Sequence, residues 1–295
     1  MEITSAVQLL ELCTAKDKSI PQIVAEYEAF RSMTSTQAVR EQMAATLRVM
    51  REAVHGGIAD TGEYAHLAKD YGQKVYQAQA AGRLFGGPLL NTVILYALSV
   101  AQYNASLGRI VACPTAGSCG VVPGAVLPIA EELGLDDEEV IDALLVMAGI
   151  GIVSASQGPI SGAEGGCQAE CGVASAMAAG AVAYLGGASN ETVFTAASLA
   201  LQSMLGLVCD PIASLVEVPC VTRNATAAVN AITAANMALA GIPAVVPYDE
   251  VVVAMKGIGR AMPESLRETS IGGLAGTPTG KGIYKEMRAR YRLDG

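Results

Sequence analysis

The chain has 295 residues, 52% of them hydrophobic and 16% charged, with a formal net charge of −9. That length can bury a sizeable core in one large domain or two. The acidic balance, without a Lys/Arg run or basic–aromatic interleaving, excludes a nucleic-acid binder, and only two histidines, His55 and His66, nearly exclude histidine-based metal sites.

Helical signals dominate in chain order, so the expected fold class is all-α, a compact multi-helix domain. Cys13 falls at a core position of an N-terminal helix. Segments 36–55 and 60–82 carry apolar positions at helical spacing with charges opposite, which puts both histidines on amphipathic helices. Pro88, after two glycines, suits the first turn of a helix running towards Gly108. Gly134 ends a helix in the left-handed cap position, and Asp136 with Glu139 forms a capping box that opens the next. Gly186-Gly187 stops one helix and Ser189 starts another. Asn224 is expected to cap a helix ending at Gly241, and Asp249 to cap one more. Strand alternation is scarce, with residues 244–246 the best short candidate.

The weakly polar runs 143–155, 171–188 and 193–208 raise the question of membrane spans, since the mean hydropathy is +0.39. They are rich in Ala and Gly and poor in long aliphatic residues, so they read as closely packed buried helices and no membrane is expected. Excess apolar surface implies a second copy or a partner chain. Met1-Glu-Ile-Thr-Ser5 has no secretory pattern, and seven cysteines suit reduced thiols, so the expected location is the cytoplasm. A helical N-terminal region, residues 1–85, is expected to pack on a helical core, 86–295, as one continuous domain.

Three Gly-rich stretches interrupt the helices: 113–120, 158–166 and 272–282. Three cysteines stand in compact motifs: Cys167 in Ser161-Gly-Ala-Glu-Gly-Gly-Cys-Gln-Ala-Glu170, Cys209 in Leu205-Gly-Leu-Val-Cys-Asp-Pro211, and Cys220 in Val216-Glu-Val-Pro-Cys-Val-Thr-Arg-Asn224. Separated by 42 and 11 residues, they form no local knuckle. Soft thiolates select iron–sulfur clusters or zinc over hard cations, and three of them suit a [4Fe–4S] cluster with one iron open as a Lewis acid. A lone cysteine is more often a packed thiol. That is the reading kept for Cys113, Cys119 and Cys171.

These motifs, with Gly276-Thr-Pro-Thr-Gly-Lys281, resemble those of iron–sulfur-dependent L-serine dehydratases, and more closely the separate alpha subunit of the two-subunit bacterial type. The similarity runs from about Ala53 to Lys281. It implies a predominantly helical lyase that converts L-serine to pyruvate and ammonia, with Cys167, Cys209 and Cys220 as ligands of an oxygen-sensitive [4Fe–4S] cluster. Single-chain relatives carry a Ser-Ser-His-Thr type motif in another domain, and nothing like it occurs here. The base is therefore unassigned and expected from a beta subunit. Some relatives also use a C-terminal cysteine as a resting ligand, which the ending Arg292-Leu-Asp-Gly295 lacks.

Candidate substrate-binding groups are Thr115, Gly117 and Ser118, in a loop read either as a carboxylate-holding nest or as a turn that caps the next helix, Ser161 and Gly162 lining the same cavity, and Arg223 and Lys281 as carboxylate anchors. Glu164, Glu170, Asp210 and Glu217 flank the cysteine motifs as orienting or capping groups. The alternatives are an iron–sulfur L-cysteine desulfidase or L-threonine dehydratase, and a pyridoxal-phosphate lyase, for which Lys281 is the one plausible Schiff-base residue.

Overall fold

Short polar side chains start the helices. Ser5, Ser35, Asp136 and Ser189 each accept a hydrogen bond from the backbone N–H three residues on, at 3.0–3.2 Å. Such caps satisfy donors that a helix start leaves orphaned. The computed structural model describes residues 2–291. Among them are thirteen α-helices: α1 (Ala6–Lys16), α2 (Ile20–Arg31), α3 (Thr36–Ala59), α4 (Tyr71–Ala80), α5 (Gly87–Ala105), α6 (Val121–Leu133), α7 (Asp137–Gln157), α8 (Gly162–Gly165), α9 (Val173–Leu185), α10 (Asn190–Gln202), α11 (Cys220–Leu239), α12 (Tyr248–Ala261) and α13 (Pro278–Tyr291). The fold is all-α.

Helix α9 is the axis of the molecule. It is apolar on every side and is wrapped by α6, α7, α10 and α11, as an all-round apolar helix must be. Its small residues permit close approach. A Cβ added at Gly180 would lie 2.1 Å from Ile150 Cδ1. Two polar groups beside it are paired: Ser175 donates to the Ala227 carbonyl at 2.8 Å, and Asn230 donates to Ser175 and to the Ala200 carbonyl. The runs 143–155, 171–188 and 193–208 thus become α7, α9 and α10 with their flanking turns. Helix α7 is long and apolar enough to cross a membrane by length and composition, and here 61% of its apolar window is buried in the fold.

Leu9, Ile20, Ile23, Leu47 and Met50, from α1 to α3, belong to the same hydrophobic core as α6 to α11. Cys13 is buried on α1, and burial pushes its thiol up to about 11. Gly134 ends α6 at φ 66°, and the Asp136–Glu139 capping box opens α7.

Four local expectations fail, three of them because a distant partner outcompetes a local one. Segment 60–70 is irregular and helix α4 begins only at Tyr71, because the N–H groups of His66, Leu67 and Ala68 donate to the Glu217 carboxylate instead of to helix carbonyls. His66 is therefore on a loop, while His55 is on α3. Asn224 lies inside α11, which starts at Cys220, and its side chain bridges to Gly117 and Gly120. Asp249 sits in the first turn of α12 but accepts from the Ala6 and Val7 N–H groups, capping α1 across the molecule. Residues 244–246 form no strand; the one ladder contact among the described residues is an isolated bridge between Cys209 and Arg267.

Candidate active site

Three loops converge at the N-terminal end of α9. Cys167 precedes a π-helical turn, Gln168–Gly172, that runs straight into α9. Buried Gln168 fastens this turn to its neighbours. Its amide donates to the Gly165 and Met255 carbonyls at 2.9 and 3.0 Å and accepts from Gly206 N–H, while its own N–H donates to the Leu207 carbonyl. The Gly206–Cys209 loop is thereby held against Cys167. Cys209 is pinned by its backbone, donating to the Leu266 carbonyl at 2.9 Å and accepting from Glu268 N–H at 2.7 Å. Cys220 opens α11.

All three thiols are buried, and all seven cysteines are free. Each of the three lies within electrostatic reach of the others. Burial first, then Cys167, Glu268 and Cys220, drives the Cys209 thiol up, and burial followed by Cys167 and Glu170 pushes Cys220 up to about 12. Cys167 moves the other way. The Cys171 thiol hydrogen-bonded to it, helped by the Arg223 guanidinium, holds it below the usual thiol value against the effect of burial. Cys171 thus touches a candidate ligand, whereas Cys113 and Cys119 are buried thiols under the neighbouring loop. No three His, Cys, Asp or Glu side chains among the described residues gather closely enough to hold a single metal ion. A cubane spreads its protein ligands over different irons, so its thiols stand farther apart than around one ion.

Gly162 makes room at this point. A Cβ there would lie 2.7 Å from Cys209 Sγ and 3.3 Å from both Glu170 Oε2 and Glu268 Oε2. A Cβ at Gly117 would lie 2.7 Å from Glu170 Oε1, and the Thr115 hydroxyl donates to that same oxygen. Glu170 therefore joins the 115–118 loop to the 161–162 loop. Burial first, with Glu268 adding to it against the Thr115 hydrogen bond, raises its carboxyl above the ordinary value. Soft donors, a clearing kept by absent Cβ atoms and a cation beside one thiol make a donor set that fits an iron–sulfur group.

The remaining candidates fall differently. The Ser118 hydroxyl donates to the Cys113 carbonyl at 2.9 Å, so it closes its own turn, and Ser161 flanks the clearing, half-buried. Arg223 reaches the site but is engaged: it donates to the Val208 carbonyl at 2.8 Å and to Asp210 at 2.9 Å, and Asp210 accepts from Leu274 N–H. Lys281 is exposed near the start of α13, a poor setting for a Schiff base. Glu164 is exposed on the far side of α8. Arg292–Gly295 lie outside the described residues. Glu268 is the group that sequence reasoning missed. It lies in no motif, and only the Cys209 backbone pairing brings it in.

A cavity of about 510 Å³ opens beside the 115–118 loop, lined among others by His66, Lys69, Asn104, Glu217 and Tyr291. His66 spans it, with Nδ1 3.1 Å from Glu217 and Nε2 2.8 Å from the Tyr291 hydroxyl. Asn104 ties the cavity wall to the loop by donating to the Ala116 carbonyl at 3.2 Å.

Known proteins share this sequence along its length. A family model described as serine dehydratase alpha chain matches residues 15–275. The "L-serine dehydratase, alpha chain" of Peptoniphilus asaccharolyticus is 39% identical over 287 residues, covering 97% of this chain and 98% of that protein. The "Probable L-serine dehydratase, alpha chain" of Bacillus subtilis is 42% identical over 280 residues, 95% and 93% of the two chains. The "L-serine dehydratase 1" of Escherichia coli is 34% identical over 278 residues, which cover 92% of this chain but 61% of that longer protein. With such matches over nearly its whole length, this chain belongs to the serine dehydratase alpha-chain family of lyases.

Proposed function

We propose that this chain is the catalytic alpha subunit of an L-serine ammonia-lyase that forms pyruvate and ammonia, and that Cys167, Cys209 and Cys220 hold a [4Fe–4S] cluster. The observation that carries this reading is that three buried thiols from separate segments lie within electrostatic reach of one another, with Cys209 Sγ against Gly162, in a chain of this family. When bound, such a cluster supplies a Lewis-acidic iron that makes hydroxide a better leaving group. The chain's own residues do the rest of what can be assigned. Arg223 and the Cys171 thiol favour the thiolate form of Cys167, which a soft metal requires. Glu170, fixed by Thr115, and the side-chain-free positions 117 and 162 shape the space in which serine would lie.

We place the enzyme in the cytoplasm, where free thiols survive, and expect air to inactivate it. A separate beta chain is part of the proposal. Relatives in which this chain covers only 61% or 62% of the length carry a further segment that a second polypeptide would supply here. The proton-abstracting base is sought there.

The test is anaerobic purification with the beta chain, followed by iron and sulfide analysis and a pyruvate assay on L-serine, L-threonine and L-cysteine. Equal iron and labile sulfide with preferred turnover of serine is expected. Full serine turnover by protein stripped of iron overturns the proposal. Gly162→Ala is expected to lower turnover about 100-fold by displacing groups at the site. Position 162 is buried and in ordinary helical backbone, so the overpacking should also lower the melting temperature, by a few degrees only.

A further inference from the structure

Two carboxylates of the chain, Glu170 and Glu268, approach the site beside one guanidinium that is already engaged. Arg223 is engaged by Asp210, the Val208 carbonyl and Cys167. Two carboxylates meet at the Gly162 clearing, each with an oxygen 3.3 Å from the point a Cβ would occupy, so the two oxygens are no more than twice that apart. Glu170 is only 8% exposed. Its Oε1 takes the Thr115 hydroxyl, whereas Oε2, the oxygen facing the clearing, has no hydrogen-bond partner among the described residues. The Glu268 carboxylate likewise has none.

Glu268 is more than a solvated surface acid. Its backbone is held at φ 64°, a left-handed conformation that a non-glycine residue keeps only where the surroundings impose it. What imposes it is the backbone bond to the Cys209 carbonyl, which fastens Glu268 to a candidate ligand loop. A buried, half-partnered carboxylate with a second carboxylate close by, both against the Gly162 backbone, is complementary to a cation with several donors. A primary ammonium, with three donors and a compact charge, is such a cation, and the amino-acid substrate of the lyase reading carries one.

We propose that Glu268 and Glu170 recognise the α-ammonium group of the amino-acid substrate. This rests on the lyase reading above and deepens it. The ammonium bonds Glu170 Oε2, which Thr115 orients, and exposed Glu268 closes on it from the mouth of the site. The pair selects amino acids over the corresponding hydroxy acids, which leave both carboxylates unpaired and repelling an anion. Arg223 and Lys281 are then not needed for specificity at this end of the substrate.

The experiment uses the anaerobic holoenzyme with its beta chain. For wild type, Glu268→Gln and Glu170→Gln, KM and kcat for L-serine are measured beside the competitive inhibition constant of 3-hydroxypropanoate, which is serine without its ammonium. Iron content and melting temperature are followed in parallel. Losing one charged hydrogen bond should raise the serine KM roughly 10- to 100-fold, with kcat changed less. The 3-hydroxypropanoate constant should stay the same or fall, and the iron content should not move. A serine KM within about twofold of wild type in Glu268→Gln overturns the proposal, as does an equal loss of affinity for both compounds. Because Glu268 is exposed, its variant carries the test even if Glu170→Gln folds poorly. Wild-type holoenzyme inert towards serine and related amino acids overturns the parent reading, and this one with it.

Discussion

Replacing Cys209 with alanine is expected to remove the enzyme's iron and its serine turnover together while leaving the fold intact. The backbone of Cys209, not its thiol, anchors the loop, through the Leu266 carbonyl and the Glu268 N–H. Only a small buried side chain is lost, so circular dichroism and melting should change little. Lewis-acid stabilisation is worth several kcal/mol, which corresponds to a loss of at least about 10³-fold in rate. Cys167→Ala and Cys220→Ala should behave alike. Cys171→Ala should retain iron, because Cys171 touches Cys167 without belonging to the trio. Iron and sulfide analysis beside a pyruvate assay decides the matter. Any one of the three variants keeping both iron and wild-type turnover would remove the basis of the proposed function.

The second large effect is on stability. Glu217 is 4% exposed, and its carboxylate accepts the N–H groups of His66, Leu67 and Ala68 at 2.6–3.0 Å and faces the His66 ring. Alanine there orphans three backbone donors at once, each costing about 1–3 kcal/mol if left unmade. Some water entry through the adjacent cavity offsets part of this, so a net loss of roughly 3–5 kcal/mol is expected, as for breaking a buried charged pair. For a chain of this size that lowers Tm by on the order of 10 °C.

The effect also depends on pH. Burial raises the Glu217 carboxyl, but the N–H groups of Ala68, Leu67 and His66 outweigh it and hold the group below its ordinary value. A depressed carboxylate stabilises the fold above its unfolded-state value, and that contribution is lost as pH falls through the folded one. The melting difference between wild type and Glu217→Ala should therefore be full at neutral pH and shrink in acid. Equal melting temperatures at neutral pH would show that the 66–68 loop does not depend on this carboxylate.

Helix boundaries were readable at several places where cap and capped group lie within about four residues. Ser189 with Thr192, Asp136 with Glu139, and Gly134 at the end of α6 are such cases. The same logic failed at Asn224, Asp249 and segment 60–70, where polar side chains found partners about 100 to 240 residues away. A propensity rule sees only neighbours. In an Ala-rich interior with few polar groups, the nearest unsatisfied donor in space takes the side chain.

By itself the sequence determined the helical class, the three cysteine motifs and the family, because these depend on residue type, local spacing and order along the chain. The tertiary structure decided that Cys171 hydrogen-bonds Cys167, that Arg223 pairs with Asp210, that Lys281 stands apart on α13, and that Glu268 enters the site. Each of those outcomes follows from which loops pack together at the end of α9, where burial and charge act through space and not along the chain.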